Sequence, residues 1–177
     1  MVASEFSDGI ARVSAENGML QYVDRQGKLL LEPRAIEWGD DFSEGVAAFS
    51  RKDKFGYFDI KGNIVISAQY EGAWRFSQGL APVKIKGKWG MINKKGEIVI
   101  APKFDGLYPF SEGLAGANID DEWGYIDQTG QMILKPKYKH IGSFRNGVAS
   151  VYNGEWEGYI DRAERIIWKA VPRKAPD

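Results

Sequence analysis

The chain reads as an all-β protein built from five tandem units, and three observations say so. Variants of the sextet Phe-Ser-Glu/Gln-Gly-Leu-Ala begin at Phe6, Phe42, Phe76, Phe110 and Phe144, spaced 36, 34, 34 and 34 residues apart. Each copy is followed by short runs that alternate apolar and polar residues or are rich in β-branched side chains. Between the runs stand clusters of Asp, Asn and Gly, the residues that turns demand. A period in this range marks a tandem-repeat architecture in which each unit buries its apolar face on its neighbours. With 177 residues and no break in composition, residues 1–169 form one repeat domain, and the proline-containing residues 170–177 a loose tail.

Residues 76–109 serve as the type unit. Ala81, Val83 and Ile85 alternate with Pro82, Lys84 and Lys86, the period of a strand with one buried face. Gly87 marks a turn. Trp89-Gly90-Met91-Ile92 forms a second strand, and after Asn93-Lys94-Lys95-Gly96 the run Ile98-Val99-Ile100 forms a third, closed by Ala101-Pro102. Each unit is thus a three-strand meander, with a short fourth strand expected within Lys103-Phe104-Asp105-Gly106-Leu107. The turn between the second and third strands recurs as Asp24 to Gly27, Asp59 to Gly62, Asn93 to Gly96 and Asp127 to Gly130. In it an Asp or Asn side chain caps the turn and a Gly accepts positive φ. The fifth copy, Asp161-Arg162-Ala163-Glu164, lacks the glycine, and a different geometry is expected there.

Within the sextet, Phe at the first position, Gly at the fourth and Ala at the sixth hold in all five copies. The Gly is read as a turn dihedral or close backbone approach, the Ala as a site of tight packing. The Gly of the Trp-Gly pair is read as bare backbone across which an aromatic ring lies.

Lys88-Trp89-Gly90-Met91-Ile92-Asn93-Lys94-Lys95-Gly96-Glu97-Ile98-Val99-Ile100-Ala101-Pro102-Lys103-Phe104-Asp105 closely resembles the consensus of bacterial WG repeats, also called KWG repeats. Glu122-Trp123-Gly124-Tyr125-Ile126-Asp127 is a second match, and Lys54-Phe55-Gly56-Tyr57-Phe58-Asp59 a third with Phe in place of Trp. The resemblance covers roughly residues 6 to 169. The end units depart from it: Gly18-Met19-Leu20-Gln21-Tyr22 lacks the pair, and in Trp156-Glu157-Gly158 a residue is wedged into it, as in capping repeats. The resemblance implies a β-rich interaction module of bacterial proteins, with no shared catalytic residues.

The second and third strands are apolar on both faces, the pattern of a sheet lodged between two others. A small five-bladed β-propeller-like ring and an open superhelix of stacked meanders both satisfy it. The ring is favoured, since radial closure protects sheet edges and strand-Asp-turn-Gly-strand resembles propeller repeats such as those of quinoprotein-like domains.

Lys plus Arg and Asp plus Glu both total 24, so no global field draws the chain to nucleic acid or an anionic membrane. Without cysteine there are no disulfides or thiolate sites, and the compartment stays open, cytoplasmic or exported. No apolar run reaches the ~20 residues of a membrane helix, and Met-Val-Ala-Ser-Glu has no signal-peptide character. His140 is the single histidine, which excludes a multi-histidine metal centre; no cofactor is expected. Asp120-Asp121-Glu122 falls on a predicted hairpin turn and lacks the spacing of a calcium loop, so it reads as a solvated turn. Charge is uneven: residues 76–109 carry six Lys against two acids, and residues 1–41 eight acids against four bases. Such sectors select partners by complementarity or simply face water.

The joining segments carry Trp38, Trp74 and Tyr108, with Arg51, Arg75 and Arg145 nearby. Aromatic rings repeated at loop positions line a binding face or cover the edge of the core, and the second reading ranks somewhat ahead. These six residues are the candidate binding set. The function expected is a non-enzymatic scaffold that binds another protein, with a carbohydrate-binding or glycosidase-like propeller as the alternative.

Overall fold

The computed structural model describes residues 3–14, 20–31 and 36–170. They contain strands and turns but no helix, and hence none long and apolar enough to cross a membrane. The strands form five antiparallel sheets in chain order. The first sheet holds β1 (Ile10–Ser14), β2 (Leu20–Asp24) and β3 (Leu29–Leu31). The second holds β4 (Trp38–Gly39), β5 (Val46–Arg51), β6 (Lys54–Asp59) and β7 (Ile64–Tyr70). The third holds β8 (Gly72–Ala73), β9 (Leu80–Ile85), β10 (Lys88–Asn93) and β11 (Ile98–Phe104). The fourth holds β12 (Gly106–Leu107), β13 (Ala115–Ile119), β14 (Glu122–Ile126) and β15 (Met132–Tyr138). The fifth holds β16 (His140–Ile141), β17 (Val148–Tyr152), β18 (Glu157–Asp161) and β19 (Ile166–Ala170). Ala170 therefore ends a strand, and residues 171–177 of the expected tail lie outside the described residues.

The expected fourth strand exists, but it pairs forward. Gly106 and Leu107 bond to Asn118 and Ala117 of β13, so the short strand opens the fourth sheet and does not close the third. The chain divides into two compact units, Met1–Pro102 and Lys103–Asp177.

In the first unit the core lies between consecutive sheets. Ile10, Tyr22, Phe42, Ala47, Phe49 and Phe58 form one layer, and Ala48, Tyr57, Ile66, Tyr70, Phe76, Ala81, Val83 and Ile92 another. Edge-on rings knit these layers, Tyr22 against Phe42 at 5.5 Å and Tyr57 against Phe76 at 4.9 Å between centroids. In the second unit Leu114, Tyr125, Leu134, Tyr138, Phe144, Ala149, Val151 and Ile160 form the equivalent layer, with Tyr125 against Phe144 at 4.8 Å. Burial on both faces does not extend along the whole third strand: Ile64, Val65, Ile98, Val99, Ile133, Ile166 and Ile167 are exposed. They start the outermost strand of their sheets, where β-branching serves strand conformation more than burial.

The sextet proves to be a latch between sheets. The acid before its Gly and the Gly itself both take positive φ (51° and 81° at Asp8 and Gly9, 51° and 81° at Glu112 and Gly113), closing a two-residue turn. The Ser hydroxyl then donates to the carbonyl of the next copy's Phe, from Ser7 to Phe42 at 2.6 Å, Ser43 to Phe76 at 2.8 Å and Ser111 to Phe144 at 2.6 Å. The acid accepts from the backbone of the next copy's Gly, as Asp8 does from Gly45 at 2.7 Å and Glu112 from Gly147 at 2.9 Å.

Candidate functional site

The residues that look chemically active are mostly employed in turns. Asp24, Asn93 and Asp127 each accept, through one side-chain oxygen, the N–H groups two and four residues on, at 2.8 to 3.1 Å. Asp161 does the same with Ala163 and Arg165, both at 2.9 Å. The fifth turn therefore keeps the common geometry, and Glu164 takes the left-handed φ of 62° that Gly supplies elsewhere. Its carboxylate accepts from the Tyr138 hydroxyl at 3.0 Å and pairs with Lys137 at 2.7 Å, contacts that hold the residue there. The Thr129 hydroxyl, before the backbone donors, holds the Asp127 carboxyl below the usual range, and at Asp161 the Arg165 N–H leads. Asp120 and Asp121, with φ of 51° and 62°, are the two residues of the β13–β14 turn. Among the described residues no cluster of three or more His, Asp or Glu could hold a metal ion.

The six candidates from the loops separate. Trp38 lies in β4, opposite Ser50, and is 42% exposed with its ring edge-on to Phe55 at 5.8 Å. Arg51, next to Ser50 along β5, is exposed. Trp74 follows β8 and is 46% exposed; its N–H donates to the Pro82 carbonyl at 3.0 Å, and its carbonyl accepts from Tyr57 at 2.7 Å. Arg75 beside it is exposed. Tyr108 is half-buried, stacked on Trp123 at 4.5 Å and 19°. Arg145 is exposed after the buried Phe144, at the position that Ser7, Ser43 and Ser111 hold in other sextets.

The Trp of the Trp-Gly pair does not lie across its own glycine. A methyl group on Gly72 would come within 2.9 Å of the Trp89 ring, and one on Gly106 within 2.8 Å of the Trp123 ring, so each ring covers the short first strand of its sheet. The glycine of the pair meets backbone instead: a Cβ on Gly124 would press on the Leu134 carbonyl oxygen and stand 2.8 Å from the Pro136 nitrogen. There β15 bulges, since Trp123 is opposite Tyr138 while Tyr125 is opposite Leu134.

The fifth sheet breaks this pattern. Glu157 stands where Trp89 and Trp123 stand in the third and fourth sheets, and His140 where Gly72 and Gly106 do. Beside Glu157 and His140 lies a groove of about 600 Å³, lined by His140, Ser150, Tyr152, Glu157, Tyr159 and Trp168. His140 stacks on Tyr152 at 5.9 Å and 12°. Ser150, Tyr159 and Trp168 are register partners across β17, β18 and β19 and form one exposed row. None of these was singled out as a binding residue in the sequence. The available signal was alignment of the copies, which sets Tyr159 in register with Tyr22, Tyr57, Met91 and Tyr125.

The family model for WG-containing repeats matches the chain four times, at residues 22–55, 55–89, 89–123 and 123–155. Among solved structures, Kluyveromyces lactis Hsv2p is similar with a TM-score of 0.61 at 13% identity, over 93% of this chain and 61% of that one. The WD40 domain of SCAP from fission yeast gives 0.55 at 11% identity, over 97% and 55%. A eukaryotic initiation factor gives 0.63 at 11%, over 95% and 52%. The chain spans less than two thirds of the length of each. At such identities the likeness carries the fold alone, and WD40 domains are β-propellers, so the sheets here are propeller-type blades. No curated protein matches the chain in sequence.

Proposed function

The chain belongs to the family of WG-containing repeats, and we propose that it is a non-enzymatic binding module whose partner is another protein. The observation that carries this reading is the pair of exposed tryptophans set on backbone that cannot move freely. Trp74 is pinned through its own N–H and carbonyl, and Trp38 by its strand pairing and the Phe55 ring. Backbone already fixed in the free state lowers the ordering cost of the Trp side chain it presents, and Trp is a recurrent anchor in protein interfaces. Arg51 and Arg75 supply charged donors beside the two rings, and Trp with Arg is the composition such interfaces favour. The acids, by contrast, are occupied in turns and latches, and this supports a scaffold over a hydrolase.

Affinity capture from lysate of the source organism, comparing the native chain with a Trp38→Ala, Trp74→Ala variant of unchanged circular dichroism, tests the proposal. A protein held by the native chain and lost by the variant is expected. Equal capture by both, or quenching of tryptophan fluorescence across a glycan panel with no protein captured, would overturn it.

A further inference from the structure

Four copies of one position show what the fifth lacks. Tyr22, Tyr57, Met91 and Tyr125 are at most 1% exposed, whereas Tyr159 is 47% exposed. Trp168 is 54% exposed, whereas its counterparts Ile66, Ile100 and Leu134 are buried. Where the covering group is seen within one unit it is the Phe of the following sextet: Phe42 on Tyr22, Phe76 on Tyr57, Phe144 on Tyr125. The Phe of the first sextet shows the converse. Phe6 is 48% exposed, while Phe42, Phe76, Phe110 and Phe144 are buried. A terminal repeat ordinarily presents a polar outer face, and the fifth sheet instead presents an aromatic row over a groove.

We infer that the exposed face of the fifth sheet is an intermolecular docking site for the first repeat of a second copy of this chain, with Phe6 of one copy against Tyr159 and Trp168 of the other. Two features of the two faces agree. The contact repeats, between copies, the Phe-on-Tyr joint that the chain already makes three times within itself. The polar latch is kept in kind: Arg145 offers N–H donors in place of the Ser hydroxyl that reaches a Phe carbonyl, and Asn146 offers a side-chain carbonyl in place of the acid that reaches a Gly N–H. The joint is heterologous, so it generates rings or open chains of copies and not a symmetric dimer.

Sedimentation velocity over a concentration series tests this on the full chain, with Phe6→Asp and Tyr159→Asp variants whose circular dichroism and melting match the native protein. Both residues are exposed, so neither change removes core. The native chain is expected to associate as concentration rises, and each variant to do so at least about tenfold more weakly, as loss of a central aromatic anchor brings. Mixing the two variants is the decisive arm. Phe6→Asp keeps an intact fifth-sheet face and Tyr159→Asp an intact first-repeat face, so the mixture forms a 1:1 pair that neither forms alone. A native chain that stays monomeric up to about millimolar concentration overturns the inference. So does association that ignores both variants, or a mixture that does not pair. A native monomer whose tryptophan fluorescence is quenched by a glycan would assign the groove to a small ligand and overturn it equally.

Discussion

At Gly124 a hydrogen stands where a methyl group would press on the backbone of β15, directly against the Leu134 carbonyl oxygen. That contact explains the glycine of the Trp-Gly pair better than a ring lying across it. A carbonyl held in a bulge cannot swing away as a flexible side chain can, and Gly56, Gly90 and Gly158 meet the facing strand in the same way. Gly124→Ala is therefore expected to destabilise by about 1 to 3 kcal/mol, the range of overpacked sites, read as a shift in urea midpoint. Gly87→Asn is the control. Its φ is 79° with open space around it, and Asn adopts that region, so about 1 kcal/mol or less is lost. The steric need for glycine was legible in the repetition of Trp-Gly, whereas the atom it avoids was not, because a register shift across strands leaves no local mark.

The sextet is the element that joins one sheet to the next. Its Phe and Ala were readable as packing positions and its Gly as a turn dihedral. That Ser111 donates to Phe144 and Glu112 accepts from Gly147 was not, since the partners lie 33 and 35 residues away. The Gly147 N–H first, then Asn146 and Arg162, hold the Glu112 carboxyl below the ordinary range. A group whose folded pKa is depressed contributes stability that is full above its unfolded pKa and lost as pH falls through the folded value. The difference in melting temperature between native protein and Glu112→Gln should thus be largest near pH 7 and close as pH drops below the ordinary glutamate range. A constant difference across that titration would mean that Glu112 acts by shape alone. Ser111→Ala removes a neutral donor and should cost about 1 kcal/mol at any of these pH values.

For the molecule as a whole, repeats that contact only their neighbours open from where cover is missing. Strand β19 belongs to the uncovered fifth sheet, while Leu134 in β15 is buried. Amide exchange in dilute solution should accordingly be at least about tenfold faster in Ile166–Ala170 than in Met132–Tyr138, and should slow as concentration rises if copies dock. Equal protection of the two strands would show that the fifth sheet does not depend on a covering neighbour.

The repeat period, the strands, the Asp-led turns and the family were all determined by sequence alone, because each is a local pattern restated in successive copies and each copy corroborates the next. Assignment of the short strand to the following sheet, the bulge against Gly124, the ring of Trp89 over Gly72 and the exposure of Tyr159 were decided only by tertiary structure. In every such case the deciding atom comes from another strand or another repeat. A Tyr set identically in repeats two and five is buried in one and exposed in the other, since the ring that covers it belongs to a neighbouring repeat and is not written in the residues around it.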